Sequence, residues 1–403
     1  MPNRWLILAV LFLARTAMGF QFQSVGALST ILLDDLGLSY SQLGTLIGLY
    51  LMPGVVLAWP GGLIGQRLGD KTTAVGSLGL MAVGGLIMAL GETYGPAAVG
   101  RLVGGSGGLM LNVILTKMVA DWFVGREIIT AMALLLASWP LGVALALVLL
   151  GPLATTGSWS LAMYLTTVAC LLGLVLILAF YRRPAPAEGP EPAGPARARL
   201  DRRDLTLAGL AAMIWMLYNV SFIILPSFGP AFLTSAGFGA IRAGHLTSLI
   251  GWILIGSLPL GGYAAERLGR PNSFLIWCTI GACLAVLGLA KGLSPWPLMV
   301  ALGLLFGPPA GIIMAFPAQV LSPEKRASGM GFFYSFYYLG LAAIPPLAGL
   351  VGDLSADPAA PLLFGAMAGL GIIPLLLLFR FFQRRGWGRE TGLKTTVAPG
   401  REG

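Results

Sequence analysis

A chain of 403 residues that is 57% apolar and only 10% charged, with a mean hydropathy of +0.84, cannot clothe a soluble core of its own size, because an ordinary soluble domain carries about 25% charged residues. The net charge of +9 would suit a polyanion, but its distribution along the chain orients a membrane protein and leaves no basic patch for nucleic acid. Three cysteines and a single histidine exclude a disulfide framework and a multi-histidine metal centre, so no metal and no cofactor is expected.

Twelve apolar stretches of about 20 residues follow one another, each able to cross a hydrocarbon layer of ~30 Å at about 1.5 Å per residue. In chain order they cover roughly residues 5–33, 41–66, 72–92, 96–119, 127–150, 159–181, 205–233, 244–266, 273–291, 295–321, 327–350 and 360–383. The first is too long for a signal-peptide core and lacks a small-residue cleavage site, so it is expected to remain as a helix. Between the sixth and seventh lies 182–204, rich in proline, alanine and charge, which reads as a linker without a core. The expected organisation is therefore an N-terminal six-helix bundle (1–181), a cytoplasmic linker (182–204), a C-terminal six-helix bundle (205–383) and a polar, disordered cytoplasmic tail (384–403). The fold class is an all-α membrane protein of twelve transmembrane helices in two pseudo-symmetric bundles. Fifty-seven glycines suit close helix packing. Prolines at 140, 226, 230, 308, 309, 345 and 346 are expected to interrupt helices, either as flexing points or as ordinary kinks.

Alternating the stretches across a bilayer puts 21 of the 25 Lys and Arg on the side of the termini. Only Arg242 and Lys291 fall on the other side, while Arg15 and Arg101 lie within helices. By the positive-inside rule both termini are cytoplasmic and the protein is a multi-pass component of the inner (cytoplasmic) membrane.

A short signature occurs twice, 200 residues apart. The first copy carries Gly62, Gln66, Arg67, Gly69, Asp70 and Lys71; the second carries Gly262, Glu266, Arg267, Gly269, Arg270 and Pro271. A duplicated apolar half is how many secondary transporters are built, and the copied element resembles the loop 2–3 signature of the major facilitator superfamily. The resemblance implies two bundles that rock about a central site, with charges of this loop forming a conformational latch. Gln66 stands where the first copy would carry its acid, which disfavours a first-half latch, whereas Glu266 with Arg267 and Arg270 fits one. The competing reading is an interfacial turn that merely obeys the charge rule. The run from Ala14, Arg15 and Thr16 to Asp34 and Asp35 is broadly similar to the cyanate-permease and nitrate/nitrite-type members.

Arg15 is the leading candidate for substrate binding. Ten residues after Trp5 it lies about 15 Å deep, where a cation is costly and normally faces a bundle interior or a water-filled path. Gly19, Phe22 and Gly26 share its face, with Gln23 at the edge. All sixteen Asp and Glu fall in loops, at helix ends or in termini, so none neutralises Arg15. An unpaired buried cation calls for an anionic substrate. Arg101, about 7 Å into the fourth helix, heads an Arg-x-x-x-Gly-x-Gly-like run and shares a face with Asn112; snorkelling and a pathway role compete there. Lys117 reads as a positive-inside anchor. Ser138 and Trp139 on helix 5, Trp215, Tyr218, Asn219 and Phe222 on helix 7, and Tyr334, Tyr337 and Tyr338 on helix 11 could orient an anion or shape a pocket, or simply pack. His245 is interfacial or proton-sensing.

The sequence thus predicts a transporter of a small organic carboxylate or inorganic anion, not an enzyme, since no nucleotide-binding loop or catalytic cluster occurs. Its expected partners are the anionic solute and the lipid bilayer, with protons or a counter-anion as coupling ion, and it is expected to be a monomer. The rival is an exporter of hydrophobic or cationic compounds, suggested by the aromatics but lacking the buried carboxylate such cargo would need.

Overall fold

The computed structural model describes residues 3–57, 68–123, 127–182, 200–322 and 325–390. Among the described residues, twelve spans are long and apolar enough to cross a membrane: α1 (Arg4–Ala27), α2 (Tyr40–Leu57), α3 (Asp70–Leu90), α4 (Tyr94–Trp122), α5 (Thr130–Thr156), α6 (Trp159–Phe180), α7 (Arg202–Ser235), α8 (Ala240–Ala265), α9 (Pro271–Ala290), α10 (Pro295–Val320), α11 (Gly329–Ser355) and α12 (Ala360–Arg384). No strand occurs among the described residues. An even number of crossings brings the start of α1 and the end of α12 to one side, here the terminal face.

Helix boundaries follow local chemistry. Asn3 caps α1 by accepting from the Trp5 amide, and Ser39 with Gln42 forms a capping box on α2. Asp201 with Asp204 does the same for α7, so that helix starts at Arg202, inside the stretch expected to be linker. The first helix ends at Ala27, and a separate short helix, Ser29–Asp35, follows it in place of one helix running to residue 33. The helix of α12 continues to Glu390, past the point where a polar tail was expected.

The prolines expected to interrupt helices do not: Pro140, Pro226, Pro230, Pro308, Pro309, Pro345 and Pro346 all sit inside continuous helices. Breaks fall elsewhere, at Met52 before Pro53, at Ala315 before Pro317 and at Gly371 before Pro374. A proline frees the carbonyl four residues earlier, and a continuous helix survives where a neighbour occupies that carbonyl. The Pro226 carbonyl, freed by Pro230, accepts from Gln23 Nε2 of α1 at 2.7 Å.

In a bilayer helices gain nothing by hiding apolar surface from one another, so packing relies on small residues. A Cβ added to Gly84 of α3 would fall 2.5 Å from the Gly100 carbonyl of α4, and one on Gly142 of α5 would strike the Thr16 carbonyl of α1. Outward lie exposed apolar side chains such as Leu172, Val175, Trp277 and Leu284, an aggregation hazard in water and a normal surface in lipid.

The halves echo each other. Arg4 at the start of α1 pairs with Glu127, just before α5, at 2.8 Å. In the second half Asp204 at the start of α7 pairs with Lys325, just before α11, at 2.6 Å, the same link with its charges reversed. The signature glycines Gly69 and Gly269 both adopt left-handed backbone, with φ of +82° and +63°, which a side chain would strain.

Contacts between the halves gather toward the face opposite the termini. On α2 and α11, Gly44 abuts the Pro345 carbonyl and Gly349 abuts that of Tyr40. On α5 and α8, Gly251 lies against the Pro140 carbonyl and Gly244 against that of Leu147. Thr30 donates to Thr234 at 3.3 Å beyond the Gln23–Pro226 bond. The described ion pairs at the terminal face each stay within one half. The protein is therefore closed on the side away from its termini.

Candidate functional site

Arg15 stands eleven residues beyond Arg4 on α1, about 16 Å from the helix start. It is 7% exposed. Its Nε donates to Asn112 Oδ1 of α4 at 3.1 Å and its Nη1 to the Leu135 carbonyl of α5 at 2.7 Å. Nη2 makes no hydrogen bond among the described residues. The ionisable groups acting on the guanidinium are Tyr334, Tyr337 and Tyr338 of α11. No carboxylate stands among these partners. A full positive charge thus sits at the junction of α1, α4 and α5 from one half with α11 from the other, solvated by neutral groups and with both N–H groups of Nη2 unengaged among the described residues.

Aromatic rings line the second-half side. Tyr337 lies 4.8 Å from Tyr338, 6.1 Å from Tyr334 and 6.0 Å from Trp215 of α7, between ring centroids. Trp215 also stacks on Tyr218 at 5.3 Å and on Phe333 at 6.4 Å. Its indole Nε1 is buried and has no acceptor among the described residues, a cost that a ligand oxygen would remove. Arg15, Asn112, Trp215, Tyr334, Tyr337 and Tyr338, all named from sequence, are thus brought into one connected group.

Other expected residues are engaged in packing. Tyr218 donates to the Phe306 carbonyl of α10 at 2.7 Å, and Phe222 meets the Phe306 ring at 5.5 Å. Asn219 donates back to the Trp215 carbonyl of its own helix. Gly19 lets α1 approach the Trp139 carbonyl. Phe22 fills the space between Tyr50 and Trp139, at 5.6 and 5.0 Å. Ser138 donates to the Leu135 carbonyl that also receives Arg15. Gln23 bridges the halves through its nitrogen, and its Oε1 is buried without a donor among the described residues.

Arg101 occupies a different layer. Its Nε, Nη1 and Nη2 donate to the carbonyls of Leu46, Gln21 and Phe22 at 2.9, 3.0 and 3.0 Å, and its guanidinium sits 4.5 Å from the Tyr50 ring centroid. It is 2% exposed. Each of its three nitrogens is committed to holding α4 against α1 and α2. Tyr50 and Gln21 were not singled out from sequence; Gly105, whose added Cβ would strike the Tyr50 backbone, and Gly108, whose added Cβ would fall 2.6 Å from the Tyr50 hydroxyl, are the signal that α2 packs closely there.

In the first signature copy, Gly62, Gln66 and Arg67 lie outside the described residues. Asp70 meets Lys117 of α4 at 2.8 Å, and Lys117 also meets Asp121 at 2.9 Å, so Lys117 is an ion-pair partner as well as an anchor. Lys71 donates to the Leu178 and Tyr181 carbonyls at the end of α6, at 2.8 and 3.1 Å. These links stay within one half. In the second copy Gly262 faces open space, Arg267 lies 6.0 Å from the Tyr263 ring, Arg270 precedes α9 as its cap, and the Glu266 side chain lies outside what is described. His245 is exposed on α8 near the opposite face.

One acid unremarked in the sequence joins the halves. Asp353, near the end of α11, accepts from the backbone amides of Tyr40 and Ser41 at 2.7 and 2.9 Å. Nothing in its composition or spacing sets it apart; only the helix start placed against it gives it a role.

The sequence profile described as the Major Facilitator Superfamily matches residues 9–290 and 210–398. The chain belongs to the major facilitator superfamily. Members are transporters and not enzymes. Among its relatives is the lysosomal dipeptide transporter MFSD1 of Danio rerio, 26% identical over 98% of this chain and 91% of that protein. The hexuronate transporter of Bacillus subtilis (strain 168) is 21% identical over 94% of each chain. The 3-(3-hydroxy-phenyl)propionate transporter of Escherichia coli (strain K12) is 24% identical over 85% of this chain and 86% of that one. The crystal structure of a point mutant of the nucleoside transporter NupG shares the fold with a TM-score of 0.72 at 14% identity, over 93% of this chain and 99% of that one.

Proposed function

We propose that this superfamily transporter moves a small carboxylate-bearing solute across the cytoplasmic membrane by alternating access, with both termini in the cytoplasm. The observation that carries the reading is Arg15, a buried guanidinium with neutral partners and an uncommitted Nη2 at the boundary between the halves. A carboxylate there would gain charge-assisted hydrogen bonds in a medium of low dielectric. Residues 1–181 and 205–383 would move as two bodies joined by 182–204, exposing Arg15 to each side in turn. The contacts between the halves on the far side support a state closed to that side.

The names of the relatives support the same chemistry. A hexuronate and a hydroxyphenylpropionate are carboxylates, and a dipeptide ends in one. The ring faces of Tyr334, Tyr337 and Trp215 favour a solute whose other end is aryl or ammonium, since both are attracted to aromatic faces. The exporter reading rests on those rings alone, without a carboxylate beside the site to hold a cation. With no acid acting on Arg15, coupling would be uniport, exchange for another anion, or entry of a proton with the solute. The protein works as a monomer.

The test is thermal stabilisation of the purified protein by a panel of carboxylates, dipeptides, lipophilic cations and neutral sugars, alongside Arg15→Gln. Ligand at about 100 times Kd adds about 2.7 kcal/mol. Stabilisation by a carboxylate that disappears in Arg15→Gln is expected. Stabilisation by lipophilic cations in both proteins would overturn the reading.

A further inference from the structure

At the terminal face, far from Arg15, a groove of about 440 Å³ opens between α9 and α12, lined by Asn272, Leu377, Arg380, Phe381 and Arg384. Arg380 is built into it rigidly. Its Nε and Nη2 donate to Asn272 Oδ1 at 3.0 and 2.8 Å, and its Nη1 donates to Gln319 and Gln383 at 2.9 and 2.7 Å. The guanidinium also lies 4.8 Å from the Phe316 ring and 5.2 Å from Phe379. Every acceptor is a neutral amide oxygen, so the geometry of the cation is fixed while its charge is not compensated.

Arg384, one turn further along, lies close enough to Arg380 to repel it electrostatically. It makes no hydrogen bond or ion pair among the described residues. Two like charges held side by side on a folded surface cost free energy unless an anion joins them.

The height of the groove is informative. Arg380 follows Ala360 by twenty residues, about 30 Å along the helix, which is the thickness of the hydrocarbon layer. The arginines therefore stand at the level of phosphate groups. Leu377, one turn deeper and 61% exposed, and Phe381, 46% exposed, offer apolar surface just below and beside them. Cation above and apolar wall below match a phospholipid, with headgroup phosphate on the arginines and acyl chain along α12; a free anion would use only the upper half. Basic pockets between helices on the cytoplasmic side are suited to anionic headgroups.

We infer that the α9–α12 groove is a binding site for an anionic phospholipid, whose phosphate is held by Arg384 and by the one remaining N–H of Arg380 Nη2. Neither residue touches the Arg15 site, and the inference stands whatever that site carries.

Native mass spectrometry of the full-length protein released from micelles tests it. Phosphatidylglycerol is titrated against phosphatidylcholine for the wild type, Arg384→Gln and Arg182→Gln, the last an exposed cation on the same face of the other half. Arg384 bonds to no described residue, so its loss should leave the fold intact. Removing one arginine from a headgroup site is expected to weaken phosphatidylglycerol retention about fivefold, with phosphatidylcholine and Arg182→Gln unchanged. Equal losses in both variants would mean diffuse surface attraction and overturn the site. Displacement of the lipid by excess inorganic phosphate would overturn its assignment to a phospholipid, as would equal retention of phosphatidylcholine.

Discussion

Removing the Asp353 carboxylate should loosen the closed side of the transporter without unfolding α2. A helix start leaves four amides without partners in the helix. In α2 the Gln42 amide is taken by the Ser39 side chain and the Ser39 amide by the Gln42 side chain. The remaining two, Tyr40 and Ser41, are taken by Asp353 from the other half. The helix keeps its own cap in Asp353→Ala, so the loss falls on the contact between halves. A capping side chain is worth about 1 kcal/mol and a carboxylate at a helix N-terminus about 0.3–1 kcal/mol. The closed state should lose about 1–2 kcal/mol, which raises the population open to the far side about 5- to 30-fold. Thr30, which meets Thr234 across the same closed side, reports this as Thr30→Cys in a cysteine-free background. Its labelling by a membrane-impermeant maleimide should accelerate by that factor in Asp353→Ala. An unchanged rate, with the protein folded, would refute the idea that Asp353 holds this side shut.

Further outcomes follow from the same geometry. Arg101→Ala should destabilise the protein by about 3–5 kcal/mol, since it empties a large buried site and removes three hydrogen bonds that tie α4 to α1 and α2; thermal unfolding should show this where Arg15→Gln, which removes two bonds and keeps most of the side-chain volume, shows a much smaller change. The Lys325 cluster carries a pH signature. The Asp204 amide and Lys325 hold the Asp201 carboxyl below its ordinary value of 3.8, so its contribution is present above that pH and fades as pH falls through the lower folded value. The hydrogen bonds to Asp204 and Asp201 raise Lys325 above its ordinary 10.5, so its contribution is present below that pH and fades as pH rises through the higher folded value. The stability difference between wild type and Lys325→Met should therefore be level from about pH 5 to 9, shrink below about pH 4, and weaken in high salt.

How much of this was legible in the sequence depends on which interactions are local. The twelve spans were readable because a bilayer forces about 20 apolar residues into each crossing. The helix breaks were misread at the prolines, because whether a helix runs on through a proline depends on what packs against it from elsewhere in the chain. At Pro230 the packing partner is Gln23, 203 residues away from the Pro226 carbonyl it caps, and no window of sequence contains both. Arg15 was legible for the opposite reason: the cost of a charge in the membrane is a property of its depth alone. Arg101 was equally costly and equally visible, yet it is spent on holding helices together. What separates the two is the number of donors already committed, three groups bonded to carbonyls in Arg101 against two in Arg15. That count belongs to the packed structure. Burial of a cation thus points to a place where something must answer its charge, and only the tally of its partners tells whether the answer comes from the protein or from what it carries.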